Sequence, residues 1–241
     1  MLECSSTSVR LVPEPKRGGV RWLAQLDPAA ASAYAASVAP LVPAIEAALP
    51  ANVVANRVAE IRAAPPALHL EAWRVARARF RALVRDLAPD AGAAVISDVR
   101  DYYGSISLPV LRRALEGIGC PRVDVERALD ALRRFAEGGV RGLPVGPEPS
   151  AVLANAVLLG ADRRMSAAGL AHVRWVDDVI VFTRDAREAR GALELLAAAL
   201  DDLGLRLAPE KTRLILDPDT IRGAGPAARS GPGPRREPAS G

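Results

Sequence analysis

The sequence predicts an α+β fold in which a split βαβ sheet carries the chemistry, and three features predict it. A short apolar run at 93–96 ends at Asp98, two strand-like runs at 173–176 and 179–182 flank Asp177 and Asp178, and Gly204 closes a helix before a last extended run at 205–216. Strand, helices, hairpin, helix, strand, in that order, is the split βαβ, ferredoxin-like arrangement. Half of the 241 residues are apolar, enough for one sizeable core and a small second lobe.

Each element has its own signature. Residues 8–25 hold two partly apolar runs around Glu14-Pro15-Lys16-Arg17-Gly18-Gly19, whose glycines and proline mark a hairpin. Over 28–49, Tyr34, Val38, Leu41, Val42, Ile45 and Leu49 recur at helical spacing, with Pro40 and Pro43 as breaks. An arginine-dense helix is expected over 70–87, then a buried strand at 93–96 that delivers Asp98. Ser107 is placed to cap a helix running to Gly117, and a further helix covers 125–135. After the Gly/Pro-rich stretch 138–149, the segment 150–165 reads as one buried helix. Asp177-Asp178 between two apolar runs is the pattern of a tight hairpin. Asp185 and Glu188 resemble a capping box, opening a helix with Leu193, Leu196, Leu200 and Leu203 on its apolar face. The run 205–216 is a strand, or a strand pair interrupted by Pro209-Glu210-Lys211. From Asp217 Gly, Pro, Ala, Ser and Arg dominate, and disorder is expected.

With 32 Lys+Arg against 28 Asp+Glu the net charge is +4 and the pI about 9.6, compatible with a polyanionic partner. Part of that excess belongs to Arg222, Arg229, Arg235 and Arg236 near the C-terminus. Cys4 and Cys120 stand far apart without neighbouring histidines, which argues against a disulfide framework or a zinc site. Charges are expected to interrupt every apolar stretch before the roughly 18 residues that a membrane span requires, and the N-terminus lacks a signal-peptide pattern. The expected setting is cytoplasmic, with no membrane partner.

Two adjacent carboxylates at a buried hairpin tip repel each other and resist desolvation unless a cation is present. A third acid at the end of a neighbouring strand makes a divalent-metal cradle, and Mg²⁺ prefers such hard oxygen ligands. That arrangement suits two-metal phosphoryl transfer. Taken singly, Asp-Asp is also what a solvated turn looks like, and Asp98 alone also fits a strand terminator.

The flanking residues resemble the ordered motifs of reverse transcriptases. Asp98-Val99-Arg100-Asp101-Tyr102-Tyr103-Gly104-Ser105-Ile106 resembles motif A, Asp-hydrophobic-x-x-aromatic-aromatic-x-Ser-Ile. Gly142-Leu143-Pro144-Val145-Gly146-Pro147-Glu148-Pro149-Ser150, leading into Leu153-Ala154-Asn155, resembles motif B. Trp175-Val176-Asp177-Asp178 resembles motif C, and Gly204-Leu205 through Pro209-Glu210-Lys211-Thr212 resembles motif D. The likeness runs from about Arg10 to Leu216, is strongest from Asp98 onward, and is similar to the bacterial retron, group II intron and abortive-infection kinds.

The resemblance implies a ferredoxin-like polymerase palm over 93–216, a partial fingers subdomain over 1–92 and a disordered tail over 217–241. It implies an RNA-directed DNA polymerase that uses Mg²⁺ or Mn²⁺, an RNA template, a DNA primer and dNTPs, with a partner protein or structured RNA as a further associate. Asp98 and Asp177 would ligate both metals, with Asp178 in support and the Val99 carbonyl as a further ligand. Tyr103 matches the aromatic gate against a ribose 2′-hydroxyl, in a nucleotide-binding set with Asp101, Tyr102, Val145 and Gly146. Arg21 matches the arginine that clamps the triphosphate, assisted by Lys16 or Arg17. Lys211 matches the lysine that protonates departing pyrophosphate, an exposed turn lysine being the competing reading. Gly142 and Gly146 would let backbone approach the nucleotide, and Arg74, Arg77, Arg79 and Arg81 would suit nucleic-acid phosphates. His69 and His172 receive no role.

The chain departs from the family at three places. Trp175-Val176 stand where tyrosine and a small residue are usual, Val145 stands where glutamine is usual, and the sequence after motif D turns Gly/Pro/Arg-rich where a primer grip and helical thumb are usual. Templated reverse transcription, template-independent or protein-primed synthesis in phage defence, and an inert nucleic-acid-binding remnant all stay open on sequence.

Overall fold

The computed structural model describes residues 9–16 and 19–225. Strands β1 (Val9–Lys16) and β2 (Gly19–Leu26) form the expected antiparallel hairpin, in register from Val9↔Leu26 to Lys16↔Gly19. Arg17, Gly18 and the Lys16 side chain lie outside the described residues. The Asp27 carboxylate caps α1 (Pro28–Val38) by accepting from the Ala30 amide at 2.8 Å. Both prolines act as foreseen: a 3₁₀ turn, Ala39–Leu41, follows α1, and α2 (Val42–Ala48) restarts with Pro43 in its first turn, where no N–H is needed.

This region corrects one expectation. Pro28–Ala48 is long and apolar enough, at hydropathy 1.3, to pass for a membrane span by length and composition. Here Tyr34, Val38, Leu41 and Ile45 are buried against the rest of the protein. Tyr34 meets Phe135 edge-on at 5.1 Å and shares a 3.0 Å hydrogen bond with the Ser150 hydroxyl.

A second hairpin, β3 (Val58–Ala63) with β4 (Pro66–Leu70), was not anticipated, because β3 is mostly exposed and lacks clean apolar alternation. The arginine-rich helix therefore begins later, as α3 (Trp73–Leu87), and buries Ala76, Phe80 and Val84 at four-residue spacing. Then come β5 (Ala93–Ser97), entirely buried, the single turn α4 (Tyr102–Ser105), and α5 (Leu108–Gly117), which Ser107 caps through the Val110 amide. After α6 (Arg122–Glu137), the single helix expected over 150–165 is instead two, α7 (Glu148–Val157) and α8 (Leu159–Ala167). The break is at Leu158, whose ψ of −3° opens the helical repeat.

Strands β6 (Ala171–Trp175) and β7 (Asp178–Thr183) form the central hairpin. Asp185 caps α9 (Ala186–Asp201) through the Arg187 and Glu188 amides, and Glu188 reaches back to the Arg184 amide. Gly204, at φ +67°, ends that segment as expected, and β8 (Arg213–Ile215) follows a 3₁₀ turn, Pro209–Lys211. The disorder expected from Asp217 is corrected as far as 225. Helix α10 (Pro218–Arg222) is capped by Asp217 and anchored by Ile221, which is fully buried. Residues 226–241 lie outside the described part.

The four-stranded sheet has the order β6-β7-β5-β8, with every neighbouring pair antiparallel. Strands β5 and β6, both antiparallel to β7, run parallel to each other with β7 between them, which is the split βαβ arrangement. Helix α9 lies against β5 and β7 and packs on α8. A single core runs from Val9 to Ile221.

Candidate active site

The sheet register brings the three acids together. Strand β5 pairs with β7 up to Ser97↔Val179, so one step further along the pair Asp98 lies level with Asp178. Trp175↔Asp178 closes the β6–β7 hairpin, so its two-residue turn is Val176-Asp177 rather than Asp177-Asp178. The turn sits one residue earlier than the sequence suggested, and Asp178 becomes the first residue of a buried strand. Carboxylate oxygens of Asp98, Asp177 and Asp178 lie within 4.8 Å of one another. Val176 adopts φ +58°, the first-position geometry of a two-residue hairpin turn normally given to glycine. For a β-branched residue this is strained by about 1–3 kcal/mol.

The electrostatics of this cluster ask for a cation. Burial, then the Asp98 charge, push the Asp177 carboxyl up to about 7. Burial, then the charges of Asp177 and Asp98, push Asp178 up to about 8. Asp177 Oδ1 and Asp178 Oδ2 are buried without a hydrogen-bond partner among the described residues, an uncommon condition for buried polar atoms. Three carboxylates gathered within 4.8 Å, two of them with an unpartnered oxygen, are the donor set that a hard divalent ion requires, and the three residues fit such an ion. Lys211 supplies one positive charge: its ammonium donates to Asp98 Oδ2 at 2.7 Å. Burial alone would lower the Lys211 ammonium, but the bond to Asp98 and the charges of all three acids outweigh it and hold the group above the usual lysine range.

Of the three acids, Asp177 borders a cleft of about 240 Å³. Arg21, Val99, Asp101, Tyr102, Tyr103, Val145, Asp177 and Lys211 all line it, so most of the sequence-derived site converges. Gly146 is not in the lining and instead backs onto the Ala24 carbonyl. Tyr102 serves the core as well, donating from its hydroxyl to the Ala154 carbonyl at 2.5 Å. The bonds Ala208 N to Asp98 O and Arg100 N to Arg206 O, 2.8 Å each, flank the Val99↔Leu207 bridge. In an antiparallel pair that pattern turns the amide and carbonyl of Val99 away from 207, toward the β7 side.

Two further features shape the cleft. The Val145 carbonyl accepts from the Ala24 amide at 2.8 Å, joining the loop to β2. Gly142, at φ +62°, is pressed against the backbone of Tyr103 and Gly104, where any Cβ would collide. Its close approach within the chain is thus to the segment carrying Tyr103. Of the arginines on α3, Arg74, Arg79, Arg81 and Arg85 are exposed; Arg79 pairs with Glu71 at 2.7 Å and Arg77 sits 5.0 Å over the Trp73 ring. Trp175 packs edge-on against Trp73 and Phe80.

Sequence reasoning missed a buried network behind the turn. Arg174 is fully buried in β6, with Nη2 2.7 Å from Asp162 Oδ2 and Nε 2.9 Å from Asp162 Oδ1. Its Nη1 donates to the Val176 carbonyl at 2.8 Å and to Asn155 Oδ1 at 3.2 Å. Burial alone would raise the Asp162 carboxyl, but Arg174 beside it outweighs burial and holds it below the usual range. His172, also without an assigned role, places Nε2 3.5 Å from Asp162. The available signal was an arginine set between the apolar Val173 and Trp175 of a strand. Arg141, exposed at the cleft wall, was also missed.

Residues 61–227, more than half of the chain, match the family described as reverse transcriptase (RNA-dependent DNA polymerase). None of the curated proteins compared matches the chain.

Proposed function

Since this chain belongs to the reverse transcriptase (RNA-dependent DNA polymerase) family, we propose that it extends a DNA primer on an RNA template by two-metal phosphoryl transfer at Asp98, Asp177 and Asp178. Membership makes the chain a nucleotidyltransferase that works on template, primer and dNTPs. The observation that carries the finer reading is the pair of unpartnered, buried carboxylate oxygens, one of them on Asp177 at the edge of a cleft also lined by Arg21, Tyr103 and Lys211. Mg²⁺ or Mn²⁺ held by these acids, with the Val99 carbonyl as a further ligand, supplies acidification of the primer hydroxyl and neutralisation of the leaving pyrophosphate.

The chain's own groups do the rest. The Arg21 guanidinium offers a planar fork of donors to triphosphate oxygens. Tyr103 lines the cleft and would act there as the gate against a ribose 2′-hydroxyl. Lys211 keeps a proton at Nζ within reach of the acids, suited to donation toward departing pyrophosphate. The expected result is primer extension on an RNA template by the purified chain, abolished by Asp98→Ala. Extension that persists in this variant would overturn the assignment of the acids. Val145, whose apolar side chain lines the cleft where the family usually has glutamine, favours a second reading: template-independent synthesis, of the kind tied to phage defence. Product formed with no template added would replace the first reading by the second.

A further inference from the structure

We infer that Arg174, with Asp162 and Asn155, is a positioning residue for the turn that presents Asp177, holding Val176 in its unfavourable backbone conformation. The inference rests on the reading of Asp177 as a metal ligand and adds the device that keeps it aimed. A turn carbonyl has no strand partner, and a buried one needs a donor. For Val176 that donor is Arg174 Nη1, at 2.8 Å.

The guanidinium is itself fixed on every side. Asp162 takes Nε and Nη2, the Asn155 side chain takes a share of Nη1 at 3.2 Å, and the Asn155 carbonyl accepts from Nη2 at 3.3 Å. Asn155 in turn donates to the Ala55 carbonyl at 2.9 Å, and the Arg174 backbone pairs with Asn52 and Val54. A buried ion pair is a poor source of stability, since apolar residues of similar volume often serve as well. What apolar residues cannot do is direct a donor at the Val176 carbonyl while φ there stays at +58°. The network therefore makes sense as the clamp on a strained turn, not as core filling.

The test uses the full chain and four proteins: wild type, Val176→Gly, the double variant Arg174→Met/Asp162→Leu, and the triple variant combining them. The double variant removes both charges together, so neither is left buried and alone. Glycine reaches positive φ without steric penalty, so a glycine turn keeps its φ without the clamp and lacks only the donor to its carbonyl. Mn²⁺ affinity is read from the free-ion electron paramagnetic resonance signal, beside thermal melts and primer extension. The double variant is expected to bind Mn²⁺ about tenfold more weakly, and Val176→Gly to restore affinity to within about threefold.

Wild-type affinity in the double variant overturns the inference. So does a loss that Val176→Gly fails to restore, which would mark the network as merely structural. Should the double variant not fold, Arg174→Lys serves under the same criteria, because it keeps a charge beside Asp162 but lacks the fork that also reaches the Val176 carbonyl. Wild-type chain that binds Mn²⁺ yet extends no primer would sink the polymerase reading, and the affinity comparison would still decide the positioning role.

Discussion

Replacing Asp177 by asparagine should make the metal-free protein more stable, and only at alkaline pH. The carboxyl titrates at about 7 in the folded chain against 3.8 for a free aspartate, chiefly because it is buried and secondly because Asp98 is near. Raised acids destabilise the folded state as pH climbs. Below the free value both states are protonated and nothing is lost; between the two values the unfolded chain gains by ionising; above the folded value the loss is complete. Each pH unit between them is worth about 1.4 kcal/mol, so the burden reaches about 4 kcal/mol at about pH 8 and about 1.6 kcal/mol at about pH 5. Asparagine carries no charge but remains a buried polar group, at a cost of about 1–2 kcal/mol. The net gain is about 2–3 kcal/mol at about pH 8 and near zero at about pH 5. For a chain of this size that corresponds to a Tm rise of about 4–12 °C at the higher pH. Circular-dichroism melts of chelator-treated protein at the two pH values measure it. Millimolar Mg²⁺ should then raise the Tm of the parent and leave the variant unmoved, since only the parent has the full ligand set. A variant no more stable than the parent at alkaline pH, or equally stabilised at both, refutes the claim that a buried charge awaits a cation here.

Two other outcomes are expected. Tyr103→Ala should lower the preference for dNTP over rNTP at least about tenfold in kcat/KM, because it vacates the wall of the cleft against which a 2′-hydroxyl would press; an unchanged ratio would show that the gate lies elsewhere. Gly142→Ala combines a left-handed backbone with a Cβ driven onto the Tyr103 carbonyl, and urea unfolding should show a loss of about 2–4 kcal/mol. A change under about 0.5 kcal/mol would mean that the loop shifts freely.

The parts of the molecule that were readable in advance are those whose signal is local. Asp98, Asp177 and Asp178 stand out because charges at the ends of apolar runs are conspicuous, and the caps at Ser107 and Asp185 need only neighbouring residues. The β3–β4 hairpin was hidden because an exposed strand carries no apolar alternation. The offset of the Val176-Asp177 turn by one residue depends on the Trp175↔Asp178 pairing, which neither adjacent acid reveals. Arg174 and Asp162 were invisible as a pair because their meeting depends on how α8 packs beside β6, a tertiary fact. Gly142 was recognised as a close-approach glycine, but its neighbour is Tyr103 within the same chain.

The contact between Ala24 and Val145 uses main-chain atoms alone. The half-buried side chain at 145 can change without breaking the joint between the hairpin that bears Arg21 and the loop that borders Tyr103. A different residue at 145 would thus change the lining of the cleft while the main-chain bond that seats the loop on the hairpin stays in place.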